Sequence, residues 1–275
     1  MTALPLVMGV VNVTPDSFSD GGLYATADSA IAHGEQLLAD GADLLDVGGE
    51  STRPGATRPL VEEELGRVVP VIAALAGAGA RVSVDTMRSE VARAAIEAGA
   101  VLVNDVSGGL ADPEILRVVA DSDASYVAMH WRAHADHMTG FASYDEPGGV
   151  VEAVRRELGE RVEAVLAAGV PPERLVLDPG LGFAKRGEHN WQLLAHLDRV
   201  QDLGYPLLVG ASRKSFLGAL LDGRGVDGRD DATTALSVLL ARTGVWGIRV
   251  HDVRSTRDAL LVVRAWEDAH DEQRD

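Results

Sequence analysis

The sequence predicts a single (β/α)8 barrel, and three observations predict it. Eight short β-branched and apolar runs each end on a polar or charged residue. A helical pattern follows each run, so strand and helix alternate eight times with no break that suggests a second domain. The length, 275 residues, suits one such barrel, for which about 250 is typical. Strands buried on both faces read as nearly continuous apolar runs. In a closed barrel their carboxyl ends converge on the face where such folds keep their active sites.

The first run is Val10-Val11-Asn12, and an Ala/Leu-rich helix from Asp28 to Ala39 follows it, stopping at Gly41. The second, Leu44-Leu45-Asp46, precedes a helix from Glu62 to Ala78 that opens with glutamates, which favour a helix N-terminus through its dipole. Val82 to Asp85 leads to a helix from Ser89 to Ala98 with a serine N-cap. Leu102 to Asp105 leads to Pro113–Asp121, where Asp-Pro supplies an N-cap and a proline at the first helical position. Val127 to His130 precedes a long amphipathic helix, Val150 to Ala168, ending at Gly169. Leu175 to Asp178 precedes a helix from Trp191 to Leu203. Leu207 to Ser212 runs into a helix start and then Asp231–Thr243, and Ile248 to His251 precedes Ser255–Ala269.

Three connections exceed what a barrel needs: Thr14–Thr26, Gly48–Leu60 and Trp131–Gly149, after strands one, two and five. All follow strands, so all belong to the active face, where long loops on a rigid scaffold collect binding and lid functions. Residues 1–275 read as one domain, with the charged tail 267–275 expected to fray.

The hydrophobic fraction is 46% and the aromatic fraction 4%, so the core should be mostly Val, Leu, Ile and Ala. A formal net charge of −17 argues against nonspecific nucleic-acid binding, which needs a basic footprint, and against an anionic membrane surface. Cysteine is absent, which removes disulfides, a thiol nucleophile and iron–sulfur chemistry. The start lacks a signal-peptide pattern, and no stretch approaches the ~20 apolar residues of a membrane span. A soluble cytoplasmic protein is expected.

The strand ends offer Asp46, Asp85, Asn104, Asp105 and Asp178 as acceptors, with Arg213, Lys214, Arg249 and His251 as donors. Clustered Asp and Asn suit a planar heterocycle bearing N–H donors. The cationic end from strands seven and eight suits a phosphate. Asp46 is assigned instead to helix capping or a loop amide. The segment Gly210–Ser215 brings small residues and two cations to a helix N-terminus, an anion or heterocycle-oxygen site, without the spacing of an NTPase loop. His130, His134 and His137 share a helical spacing. They sit in a Gly- and Met-containing loop without an HExxH pattern and are read as solvated loop histidines.

Asn12–Gly22 and Asp46–Gly55 resemble the first two signatures of the dihydropteroate synthase family. Ser83–Thr86, Asn104–Gly109, Asp178–Phe183, Ser212-Arg213-Lys214 and Arg249–Asp252 match its remaining motifs in order. The resemblance spans nearly the whole chain; seven motifs in order are highly specific where one would be weak. It implies condensation of 6-hydroxymethyl-7,8-dihydropterin diphosphate with 4-aminobenzoate to give 7,8-dihydropteroate and diphosphate for folate synthesis.

By the same resemblance Asp85, Asn104 and Asp178 hold the pterin, Lys214 donates to its ring carbonyl and N5, and Met129 and Phe183 line the pocket. Asn12, Arg249 and His251 form the diphosphate end, with Asn12 also a ligand of Mg2+. Ser215 receives the aminobenzoate carboxylate, joined by Asp16, Phe18, Thr52, Arg53 and Pro54 from the first two loops. The implied mechanism is SN1-like, with Asp85, Lys214, Arg249 and His251 as the catalytic set. A homodimer through outer helices near the C-terminal end and a role as sulfonamide target are expected with it.

Two rivals are weaker. A methyltetrahydrofolate:corrinoid methyltransferase would share the pterin-facing residues but needs neither the diphosphate end nor the first two loop signatures. A catalytically silent paralogue would show losses in those loops or in the Arg249/His251 pair, and none is seen.

Overall fold

The computed structural model describes residues 4–14, 23–50, 58–134 and 138–271. Eight parallel strands form its centre: β1 (Leu6–Asn12), β2 (Leu44–Gly48), β3 (Val82–Asp85), β4 (Leu102–Asp105), β5 (Ser125–Met129), β6 (Leu175–Asp178), β7 (Leu208–Val209) and β8 (Gly247–Val250). Their order is β6-β5-β4-β3-β2-β1-β8-β7, and a bridge between Leu177 and Leu207 joins the two ends into a barrel. The predicted (β/α)8 class is the observed one.

Ten α-helices accompany the strands among the described residues: α1 (Leu23–Ala39), α2 (Val61–Gly77), α3 (Ser89–Glu97), α4 (Glu114–Ala120), α5 (Gly149–Ala167), α6 (Gly187–Ala195), α7 (Leu197–Gln201), α8 (Ser215–Leu220), α9 (Asp230–Ala241) and α10 (Val253–Asp271). The single helix expected over Trp191–Leu203 is two, because His196 leaves helical geometry at φ −130° and ψ 38°. Ser89 is the first residue of α3 rather than its cap, and its N–H is taken by Asp112 of the next unit at 2.7 Å. The other Asp112 oxygen accepts the Glu114 N–H at 3.2 Å, so one carboxylate caps two helices. Glu267 to Asp271 lie inside α10.

Strand periodicity sorts the side chains into two layers. Met8, Leu44, Leu102, Val127, Val176 and Leu208 point inward and form a plug with Trp246. Val7, Val11, Leu45, Val47, Val82, Val84, Val103 and Ile248 point outward into the main core against the helices. Each fully buried aliphatic side chain contributes roughly 1.5–3 kcal/mol of transfer free energy. Two residues beyond the plug on the same face come Asp46, Asn104, Met129, Asp178 and Gly210. The apolar plug is therefore the floor of a polar cup at the carboxyl end.

Candidate active site

Parity decides which strand-end residues enter the cup. Asn104 lies on the inward face, whereas its neighbour Asp105 turns outward. Asp105 accepts hydrogen bonds from the Ser107 N–H (2.8 Å) and hydroxyl (2.7 Å), the Gly109 N–H (2.8 Å) and the Tyr126 hydroxyl (2.7 Å). It organises the turn after β4 and leaves the acceptor set expected for the heterocycle.

Asp46, assigned from sequence to capping or a loop amide, does neither. It is buried inside the barrel, where its Oδ2 accepts from the Asn104 amide at 2.9 Å and from Arg249 Nε at 2.6 Å. Its Oδ1 is buried without a hydrogen-bond partner. Inward strand parity explains the correction: a side chain in the middle of β2 has no helix terminus within reach. The bond to Asp46 also orients the Asn104 amide, since only its nitrogen can donate.

Arg249 reaches over β1 to touch a second acid, its Nη2 lying 2.9 Å from Asp85 Oδ2. Burial pushes the Asp85 carboxyl up to about 7, with Arg249 pulling down and Asp46 and Glu64 pushing up. Burial works against the Arg249 charge, but Asp46 and Asp85 hold the guanidinium firmly protonated. On β6, Asp178 accepts the Gly180 N–H at 2.7 Å. Burial raises it to about 6, opposed by that hydrogen bond and by Lys214.

Lys214 stands at the start of α8 with its ammonium 4.2 Å from the centre of the Phe183 ring, a cation–π distance. Burial, and then Arg249, bring it down to about 8. Phe183 also packs against the cluster of Met87, Val106 and Met129, so both expected wall residues belong to one apolar group. A side chain at Gly182 (φ +78°) would crowd the Lys214 stem, which is why the loop beneath Lys214 needs glycine there.

At the cationic end, the Ser212 hydroxyl lies 2.9 Å from His251 Nδ1 and accepts the His251 backbone N–H at 3.2 Å. Arg213 departs from the anion site expected for it. It adopts φ +58° and forms a bidentate pair with Asp230 at 2.6 and 2.7 Å, which directs its charge away from the cup. Asn12 ends β1, half-buried, opposite Gly48. Ser215 is exposed at the start of α8. Asp16, Phe18, Thr52, Arg53, Pro54 and His137 lie outside the described residues.

His130 is not the solvated loop histidine expected. It is 1% exposed, between Glu157 and Lys185, each 2.9 Å from a ring nitrogen. Burial, and then Lys185, take it down to about 3, so it is neutral. Sequence reasoning missed Glu157 and Lys185. Lys185 closes the Asp178–Phe183 motif two residues on, and that adjacency was the available signal. Among the described residues, no group of three or more His, Cys, Asp or Glu side chains could hold a metal ion. Nor is any described helix long and apolar enough to cross a membrane.

The assembled cup therefore offers carboxylates and one amide on strands two, three, four and six, faced by Lys214 and Arg249. Such a set can hold a flat heterocycle by its N–H edge and receive charge at a group leaving toward strand eight. Comparisons with known proteins agree. A family model described as pterin binding enzyme matches residues 8–251. The dihydropteroate synthase of Mycobacterium leprae is 52% identical over 267 residues, covering 94% of this chain and 93% of that protein. One from Streptococcus pyogenes is 46% identical, with 94% of each covered. Among solved structures, the Xanthomonas albilineans dihydropteroate synthase with 4-aminobenzoic acid has a TM-score of 0.88 at 47% identity, covering 96% of this chain and 93% of that one. The same organism's enzyme in complex with 7,8-dihydropteroate gives 0.85 at 44% identity, with 97% and 95% covered. With motifs, barrel, cup and full-length relatives in agreement, the chain belongs to the dihydropteroate synthase family of pterin binding enzymes.

Proposed function

We propose that this chain condenses 6-hydroxymethyl-7,8-dihydropterin diphosphate with 4-aminobenzoate, releasing diphosphate and forming 7,8-dihydropteroate. The observation that carries the reading is the cage of Asp85 with the buried Asn104 and Asp178, opposed by Lys214 and Arg249. The two acids accept from the pterin amino and ring N–H groups, Asn104 supplies amide hydrogen bonding, and Lys214 donates to the ring oxygen and N5. Phe183 and Met129 form the walls.

The methylene–oxygen bond breaks first, its electron pair leaving with the diphosphate. Arg249 and His251 neutralise that charge, and the dihydropterin ring delocalises the positive charge left on the methylene. Asp85, next to it in the cage, stabilises the cation electrostatically. Preorganised groups of this kind are each worth about 10²–10³ in rate. The arylamine nitrogen then attacks without a strong general base and loses its proton to solvent.

Asn12 offers a side-chain oxygen beside the cationic end, half-buried and able to share a hard cation with substrate phosphates and water. That donor set fits Mg2+, which keeps several waters and takes few protein ligands. Bound there, the ion would add countercharge to the leaving diphosphate. Ser215 receives the aminobenzoate carboxylate. The motif match extends that subsite to Asp16, Phe18, Thr52, Arg53 and Pro54, and sulfonamides, as aminobenzoate mimics, compete there.

The assembly is a homodimer. Leu239 on α9 and Leu261, Val262 and Trp266 on α10 are all at least half exposed, an apolar surface on neighbouring helices that a second copy would cover. The cytoplasm is the expected location.

The deciding experiment is diphosphate release from the pterin diphosphate with Mg2+, with and without 4-aminobenzoate. Aminobenzoate-dependent release with dihydropteroate formed is the expected result. Pterin binding without turnover would sink the synthase reading in favour of a silent paralogue.

A further inference from the structure

A closed circuit of polar side chains runs behind the pocket wall. Lys185 Nζ donates to the backbone carbonyls of Gly180 at 2.9 Å and Phe183 at 3.1 Å, and lies 2.9 Å from His130 Nδ1. Burial draws the Lys185 ammonium down to about 7; in its protonated form it has three N–H donors, and three acceptors face it. His130 thus accepts at Nδ1 and carries its proton on Nε2, which donates to Glu157 Oε2 at 2.9 Å. Glu157 in turn holds Arg132 by two hydrogen bonds at 2.9 and 2.5 Å. Arg132 donates to the Ser143 carbonyl at 2.7 Å and stacks on the Tyr144 ring at 4.1 Å. The Tyr144 hydroxyl donates to the Ala184 carbonyl at 3.0 Å, returning to the residue beside Lys185.

The segment that this circuit grips is the β6–α6 loop. Gly180, Gly182 and Ala184 all take positive φ, at 68°, 78° and 46°. Left-handed residues at alternate positions reverse the chain repeatedly, and a non-glycine there is strained. A side chain at Gly180 would collide with the His130 carbonyl. Such a loop lacks the ladder hydrogen bonds of a strand. A turn bond, from the Phe183 N–H to the Gly180 carbonyl at 3.1 Å, spans it, and Lys185 adds a side-chain donor to both the Gly180 and Phe183 carbonyls. Phe183, the residue it presents to the cup, is the one whose ring meets Lys214.

We propose that Lys185 is a positioning residue for the pterin subsite. Its ammonium, oriented by His130, gathers the Gly180 and Phe183 carbonyls and fixes the Phe183 ring beside Lys214. The inference rests on the pterin reading above. The circuit occupies the β5–α5 and β6–α6 units, whereas Ser215, proposed for the second substrate, stands on α8. Disturbing it should weaken one substrate and spare the other.

Lys185→Met keeps the stem and removes the donors. The KM for the pterin diphosphate, and the Kd of 6-hydroxymethylpterin in a fluorescence titration, should rise about tenfold or more, as expected for a displaced binding wall. The aminobenzoate KM should stay within about twofold, because that contact is not displaced. Unchanged pterin constants, or equal weakening of both substrates, would overturn the proposal. If circular dichroism shows Lys185→Met unfolded, a pair at His130 decides. His130→Asn keeps an acceptor near Nδ1 and should retain pterin binding, while His130→Leu should lose it; equal pterin binding by the two overturns the role. A wild-type chain without aminobenzoate-dependent diphosphate release would refute the synthase reading instead, leaving the pterin titration to judge Lys185.

Discussion

Arg249 links two acids on neighbouring strands, Nε on Asp46 at 2.6 Å and Nη2 on Asp85 at 2.9 Å. One cation thereby connects a residue expected to serve the pterin with one for which no such role was expected. The Asp46 carboxylate, fully buried, keeps the guanidinium over the cage rather than in solvent.

Removing Asp46 should therefore harm both stability and turnover. Asp46→Ala leaves the half-buried Arg249 guanidinium with Asp85 as its remaining acid and the Asn104 amide short of an acceptor. Leaving a buried charge wholly unpaired costs about 3–5 kcal/mol, and because Arg249 keeps Asp85 the loss here should be smaller. Thermal denaturation should show a clear fall in Tm, and steady-state kinetics a lower kcat. A Tm equal to wild type would mean that the pair contributes nothing.

The pH profile of kcat/KM for the pterin substrate should be a bell. Its acid limb should rise through about pH 7 as Asp85 ionises. Its alkaline limb should fall above about pH 8 as Lys214 loses its proton. Lys214→Arg should move the alkaline limb upward, since guanidinium stays charged. A flat acid limb would remove Asp85 from the ionising role.

The same acid has an opposite effect on folding. Because its folded pKa is raised, Asp85 contributes stability that is fully present below the unfolded pKa near 3.8 and is lost as pH rises through about 7. Asp178 does likewise through about 6. Denaturant titrations of the apo chain should show stability from these two acids falling between about pH 4 and 7. In Asp85→Asn the Asp85 part of that slope should vanish, along with most activity. An unaltered slope would contradict the burial of Asp85.

Ser212→Ala should release the His251 ring from its 2.9 Å contact. Since His251 is proposed to act on the departing diphosphate, kcat should fall about tenfold with the aminobenzoate KM unchanged. A change in KM alone would move His251 out of the leaving-group end.

Chelation by EDTA should abolish turnover and Mg2+ should restore it, with circular dichroism unchanged throughout. Loss of folded signal on chelation would mean a structural metal rather than one shared with substrate.

The barrel was legible because its signal is local. Each strand is a short apolar run, and its polar end marks the catalytic rim. Asn104 and Asp105 show the limit of that reading. Both are polar and adjacent, yet one enters the cup and the other braces a turn through Tyr126. Strand parity separates them, but only once the inward face is fixed by Leu102. Asp46 was misassigned for the same reason. His130 and Lys185 stand 55 residues apart, and nothing local in either segment announces their contact. The helix break at His196 carries no proline or glycine, so the periodicity ran through it. Arg213 looked like an anion ligand until Asp230, 17 residues later, was placed beside it.

The closure between β6 and β7 has a consequence of its own. Strand seven spans only Leu208–Val209, and a single bridge, Leu177 to Leu207, joins it to β6 among the described residues. Asp178 follows on one lip of that junction and Lys214 on the other. Sparse backbone pairing places a segment at the low end of the local opening free energies. Amide hydrogens of Leu207 to Val209 should therefore exchange sooner than those of β1 or β2. A bound heterocycle bridging Asp178 and Lys214 would stitch the seam and slow that exchange, so that the ligand completes the hoop.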